Sequence, residues 1–440
     1  MRPGQTLQIK QNSQGSIWGR GEKMITKIKL SLLILCCYAF SCSTNSMDSL
    51  KASVIKVNIT PDFEDPVWLD GYPERTQPCE GVHNDIFMRI VALDDGDQTI
   101  FIISADLYAI QDDFYDSAMD ELEKASEFKR EQILWTCTHT YSAPEVSLNG
   151  RNPEYSKFLK ETLVHAIKKA YTQLEPATIG SAMGRSFVNM NRRGEYADGS
   201  IQITKNPYAV VDREVGVIKI EKANGEPLAI LINYPCHGTA LYHTNMKISG
   251  DIAESTTRYV EQQFNNDVVA LYLNGASGDV DPVYAYMRDI KDTNFELDIL
   301  GIMLGKDVLE TMEKIQTVEP VELQSVYKEI HVPRKQSEKN TVGPVLPVNI
   351  SIVRIGDVIL AASSANAFNE IGMAIKHMSP YAKTFYIGHC NGYAGYIPTE
   401  ITFQKGGYEV ESSHTTTEAE WLFTHHIVEE LRKMKSMNDN

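Results

Sequence analysis

The sequence predicts an α/β fold, a mixed β-sheet core flanked by helices in a single large domain. Short apolar runs of strand length alternate with longer stretches whose apolar residues recur at helical spacing. Five of the apolar runs end in clusters of polar residues, the form that strands take when their ends line a pocket. No Pro/Gly/Ser-rich linker or internal repeat divides the chain, and 440 residues with 42% hydrophobic content can bury an extensive core.

In order, 53–59 reads as a first strand, and 86–93 with 99–103 as a hairpin around Asp94-Asp95-Gly96-Asp97. Asp106 follows at a strand end, then a helix over 111–126. The apolar run Ile133, Leu134, Trp135 delivers Thr138, His139, Thr140 and Tyr141 into a turn at Ser142, Ala143 and Pro144, where proline ends the ladder. A helix over 153–172 precedes strands at 177–189, 215–221 and 228–234, the last two joined by an Asn224-Gly225 turn. Asp251, with Glu254 three residues on, opens a helix that ends near Phe264, ahead of a strand at 268–273. The stretch 294–315 reads as a long helix packed through Phe295, Ile299, Ile302, Met303, Leu309 and Met312. Strands at 321–332, 349–355 and 358–362, a polar loop at 335–341 and helices at 368–377 and 417–434 complete the chain.

A formal net charge of -16 argues against nucleic acid as a main partner, because phosphate neutralisation needs clustered Lys and Arg. Residues 1–46 stand apart: MITKIK at 24–29 and then LSLLILCCYAFSC at 30–42 give a short basic region and an apolar one. This reads as an export signal, too short to span a bilayer comfortably. Processing is by simple cleavage or at Cys42 as a lipoprotein site, which would tether the remaining domain, 47–440, to a membrane surface. Cys79, Cys137, Cys236 and Cys390 form no metal-finger spacing, and no bridge is assigned among them.

The polar strand ends are the candidate site. Besides His139, they bring Pro235-Cys236-His237-Gly238-Thr239, the 274–282 segment NGASGDVDP, the 363–368 segment SSANAF, and the 388–398 segment GHCNGYAGYIP. Each taken separately is an ordinary turn or satisfied strand end. Together they make zinc plausible, since two neutral imidazoles with one or two oxygen ligands leave room for a water of lowered pKa. Spacing alone does not identify zinc, and there is no HExxH.

The motifs THTYSAP, NYPCHGT, NGASGDVDP and NGYAGYIPT followed by GGYE resemble, in sequence order, signatures of the neutral/alkaline non-lysosomal ceramidases, as do GVHNDIFMRI and the strand ending in Asp106. The resemblance spans residues 53–409. It implies a zinc amidohydrolase that cuts an N-acyl amide bond of a lipid-like substrate, without the C-terminal immunoglobulin-like domain of full-length ceramidases. By position it makes His139, His237 and Tyr396 zinc ligands, Tyr408 a second active-site tyrosine, and Arg192 a group that holds the substrate carbonyl or product carboxylate. Three positions depart from the family: Tyr141 replaces a histidine, Asp281 a serine, and Asn366 a glutamate ligand. Asparagine is a weak oxygen donor to zinc. Asp281 and Glu370 are therefore the local carboxylates that can compensate, Asp281 as a direct ligand or as general base, its ordinary alternative being a turn cap. His389 and His414 are expected to lie outside the ligand set. The competing expectation is a surface binding protein that keeps the fold and has lost the chemistry.

Overall fold

The computed structural model describes residues 49–285, 293–318, 321–336 and 343–438. The export segment therefore lies outside the described residues, as does most of the 335–341 loop.

Three four-stranded layers surround one core. The first holds, in spatial order, Lys51–Asn58, Phe87–Asp94, Thr99–Ala105 and Ile133–Cys137; the second holds Glu175–Arg185, Glu214–Lys222, Pro227–Tyr234 and Val269–Asn274. They form one eight-stranded sheet, but the only register between them is Lys51–Ala52 against Glu175–Pro176. The third layer is Leu323–Pro333, Val345–Ile355, Val358–Ser363 and Lys383–Ile387. Each layer has one parallel pair, made by its last two strands, so the sheets are mixed.

Side-chain alternation builds this arrangement. Successive strand residues point to opposite faces. Val91, Ile102, Leu231, Leu271, Val353 and Leu360 face the shared core. Their neighbours Ile90, Ile103, Ile230, Ala270, Ile352 and Ala361 face outward onto helices. Asp112–Ala125 and Pro153–Thr172 cover the first layer, Asp251–Gln262 and Thr293–Met312 the second, and Asn369–Met378 and Ala419–Asn438 the third. With both faces covered, the strands read as continuous apolar runs, the mark of buried sheets.

The helix Thr293–Met312 corrects the expected packing face. Leu297, Leu300, Leu304 and Val308 are buried, whereas Phe295, Ile302 and Met303 are exposed; of the expected face, Leu309 and Met312 do pack against the core. Apolar residues occur all round this helix, so its periodicity had two solutions. The 177–189 strand is also two: Glu175–Arg185, and Asn189–Glu195 in a separate small sheet with Ile201–Asn206 and Val280–Pro282.

Candidate functional site

The layers meet at the carboxyl ends of their parallel strands, and each contributes to one buried cluster. His139 follows Ile133–Cys137, His237 follows Pro227–Tyr234, and Asn366 and His389 follow Val358–Ser363 and Lys383–Ile387. The loops are tied directly. Gly238 donates its N–H to the His139 carbonyl at 3.2 Å, and Tyr141 donates to the Gly238 carbonyl at 3.0 Å. A Cβ on Gly238 would sit 2.6 Å from Thr140 Cα, so the HGT motif needs glycine for backbone contact. His139 adopts φ 63, a left-handed conformation that non-glycine residues take only when their surroundings enforce it.

Both imidazoles are fully buried, with one tautomer imposed. His139 Nδ1 donates to the Tyr108 carbonyl at 2.7 Å, and His237 Nδ1 to the Val280 carbonyl at 3.0 Å. The lone pair of each ring is thus on Nε2. Burial pushes His139 down to about 3 and holds His237 well below the usual histidine range, so both rings are neutral at pH 7. The two Nε2 atoms converge on one side chain: Asn366 Nδ2 lies 3.4 Å from that of His139 and 3.3 Å from that of His237. Asn366 Oδ1 is buried without a hydrogen-bond partner. Tyr396 stands beside Asn366 through the register Asn366↔Tyr396 between Ala365–Ala367 and Gly395–Ile397.

Behind the histidines is a buried ion network. Arg192 donates from Nε to Glu409 at 2.8 Å, from Nη1 to Asp281 Oδ1 at 3.2 Å, and from Nη2 to the Tyr396 hydroxyl at 2.9 Å. Arg193 Nη1 donates to the other Glu409 oxygen. Asp281 Oδ1 also accepts from Thr239 at 3.2 Å and lies 3.6 Å from His237 Nδ1. The carboxylate is therefore on the Nδ1 side of His237, away from the edge facing Asn366. The direct-ligand alternative for Asp281 does not match this placement. Nor does compensation by Glu370, which is exposed on Asn369–Met378.

Tyr141 is buried, its ring 5.1 Å from that of His139 and 5.8 Å from that of His237, and its phenol meets that of Tyr396. Burial raises the Tyr396 phenol above its ordinary value, with Arg192 opposing. Tyr408 is 45% exposed, its ring 6.0 Å from that of Tyr396. It stands at the solvent edge of the cluster.

The sequence reading overlooked three participants. His389, expected outside the ligand set, stacks on the His139 ring at 3.7 Å, with Nδ1 unpartnered and Nε2 3.4 Å from Ser277 Oγ. Tyr108 stacks on the same ring at 4.6 Å. Glu409 holds both Arg192 and Arg193 in buried ion pairs. His414, also expected outside the ligand set, is exposed beside Gly395 and outside the cluster.

The donor set fits a zinc ion in its nitrogens. Tautomer-fixed imidazoles anchored to carbonyls are the usual form of metal-binding histidines, and Asn366 Oδ1, which lacks a partner, is one amide half-turn from facing them.

The family profile of the N-terminal region of neutral/alkaline non-lysosomal ceramidases matches residues 54–292, more than half of the chain. The chain belongs to that family. The matched segment of this ceramidase-family chain contains His139, Arg192, His237 and Asp281 and ends before Asn366, Tyr396 and Tyr408. Neutral ceramidase B of Dictyostelium discoideum is 28% identical over 168 residues, 34% of this chain and 23% of that protein. Neutral ceramidase of Pseudomonas aeruginosa is 22% identical over 251 residues, 52% of this chain and 36% of that protein. The chain thus spans well under half the length of these relatives. The crystal structure of the Pseudomonas aeruginosa enzyme superposes with a TM-score of 0.76 at 16% identity, over 88% of this chain and 75% of that one, and shows the shared fold.

Proposed function

We propose that this chain is an exported, zinc-dependent amidohydrolase of the ceramidase kind, which hydrolyses the N-acyl amide bond of a lipid-like substrate. One observation carries the reading: two buried, neutral imidazoles from different layers direct their Nε2 lone pairs at the same side chain. His139, His237, Tyr396 and Asn366 would hold the ion. A bound zinc supplies Lewis acidity and a water of lowered pKa.

The chain's own residues do the rest. The Tyr108 and Val280 carbonyls orient the imidazoles. Arg192, clamped by Asp281 and Glu409, points Nη2 at the Tyr396 hydroxyl and fixes that phenol. Arg192 and Tyr408 are the donors for negative charge that develops on the amide oxygen. The burial of Arg192 keeps bulk water from its hydrogen bonds, which strengthens them. Export, with Cys42 as the tether to a membrane surface, accords with the basic and apolar pattern of residues 24–42.

One observation favours a second reading, a binding protein without the chemistry. As placed, the Asn366 amide donates to both Nε2 atoms and occupies the lone pairs that a metal would need. The test is hydrolysis of a panel of N-acyl amides by zinc-loaded and chelated protein. Chelator-sensitive release of fatty acid is expected, and a zinc-loaded protein that binds these amides without cleaving them supports the second reading.

A further inference from the structure

We propose that Lys205 binds a carboxylate carried by the amine part of the substrate, which makes N-acyl amino acids the preferred class of amide. This rests on the amidohydrolase reading above.

Lys205 belongs to the small sheet whose strands lie in the order Val280–Pro282, Asn189–Glu195 and Ile201–Asn206. Asp281 stands opposite Met190, and alternation puts Arg192 on the same face as Met190. That face looks on the histidines: Asp281 Oδ1 lies 3.6 Å from His237 Nδ1, and Arg192 reaches the Tyr396 hydroxyl at 2.9 Å. On the third strand Asn206 opposes Asn191 and Ile203 opposes Arg193, so Thr204 and Lys205 together stand against Arg192 in a bulge. Asn206 shares the face of Asn191, and its neighbour Lys205 therefore shares that of Arg192. Asp281, Arg192 and Lys205 thus form a row of charges, one per strand, that runs from beside His237 to the outer strand of the sheet.

The two inner members of the row are paired with each other, and Glu409 holds Arg192 and Arg193 as well. Lys205 is half-buried, and its ammonium makes no hydrogen bond or ion pair among the described residues. Its Nζ lies 5.8 Å from the ring centroid of Tyr284, two residues beyond Val280–Pro282, so the side chain leans inward over the face that carries Asp281 and Arg192. Burial lowers the ammonium below the ordinary lysine value, with Glu296 and Asp281, neither within ion-pair distance of it, opposing. An anion brought by the substrate completes it. Paired strands lie about 5 Å apart. With the amide oxygen on Arg192, Lys205 therefore meets a group only a few bonds from the scissile bond. On the acyl side that stretch is the hydrocarbon of a lipid-like substrate, so the anion belongs to the amine. The carboxylate of an N-acyl amino acid is two bonds from the amide nitrogen, and lysine receives it as a point charge.

Lys205→Met removes the charge and keeps an aliphatic stem, whereas Lys205→Arg keeps the charge. The probes are N-dodecanoyl glycine and N-dodecanoyl glycinamide, which share a shape and differ in charge. Wild-type, zinc-loaded protein should favour the glycine conjugate. The ratio of the two kcat/KM values should fall by at least about 10-fold in Lys205→Met, the scale of one hydrogen bond to a charged group, and be largely retained in Lys205→Arg. Partial loss of folded protein lowers both values alike and leaves the ratio unmoved. An unchanged ratio in Lys205→Met, or a wild type that favours the glycinamide, overturns the proposal and leaves the amidohydrolase reading standing. If wild type cleaves neither amide, the amidohydrolase reading fails. Calorimetric binding of the same pair then decides on Lys205: selective loss of acylglycine affinity in Lys205→Met supports it, and equal affinity in both proteins, or no binding by wild type, overturns it.

Discussion

Asp281 is bound to Arg192 and not to the edge of His237 that faces Asn366: its Oδ1 accepts from Arg192 Nη1 at 3.2 Å and lies 3.6 Å from His237 Nδ1. The glutamate that the family resemblance implies at position 366 is an asparagine here, and the carboxylate at 281 sits behind the histidines, paired with Arg192. Asp281 would thus act through the orientation of Arg192 and Tyr396.

Asp281→Asn should therefore keep its metal while losing activity. Removing one charge from a buried ion pair leaves Glu409 as the carboxylate paired with Arg192, at a cost of about 1–3 kcal/mol. The expected result is unchanged zinc content, a lowered melting temperature and a kcat reduced by about 10-fold. Loss of zinc in this variant would place the carboxylate on the ion after all.

Asn366→Glu should tighten zinc binding. The buried amide is neutral, and a carboxylate at the same point adds the charge that a divalent cation favours. Competition against a chromophoric chelator should show at least about 10-fold higher affinity. Equal affinity would mean that position 366 does not face the ion.

How much of this was legible in the sequence differs by residue. His139 and His237 were readable because apolar runs ended at them, and a strand end projects its next residues into a pocket. Arg192 was not distinguishable from a surface charge. Asn189–Glu195, with the sequence NMNRRGE, has no apolar alternation, and its buried residues are held by ion pairs and hydrogen bonds instead. Glu409 and His389 escaped for a related reason: their partners lie 217 and 112 residues away in Arg192 and Ser277, and only the fold reveals such pairs. The helix 293–312 follows from its periodicity, but its packing face does only in part: Leu309 and Met312 pack on the core while Phe295, Ile302 and Met303 are exposed, because apolar residues surround the helix.

Stability should depend on Glu254. Burial pushes this carboxyl up to about 7, and Oε2 has no partner. A raised carboxyl favours the protonated folded state, so its contribution is full below the ordinary value of 4.5 and is lost as pH rises through about 7. Glu254→Gln, which resembles the protonated form, should match wild type near pH 4.5. At pH 8 it should be more stable by up to about 3 kcal/mol, less what the Arg258 pair contributes. Thermal melts across this range would show the gap opening with pH; a gap that is constant with pH would remove Glu254 as its source.

The most direct test of the account is the zinc content of the purified protein and of its His139→Ala, His237→Ala and His389→Ala variants. The account predicts about one tightly held zinc per chain, lost in the first two and kept in the third, since His389 stacks on His139 and turns Nε2 toward Ser277. A wild-type protein that takes up no zinc, or a His389→Ala variant that loses it as fully as the other two, would contradict the assignment of His139 and His237 as the ligand pair.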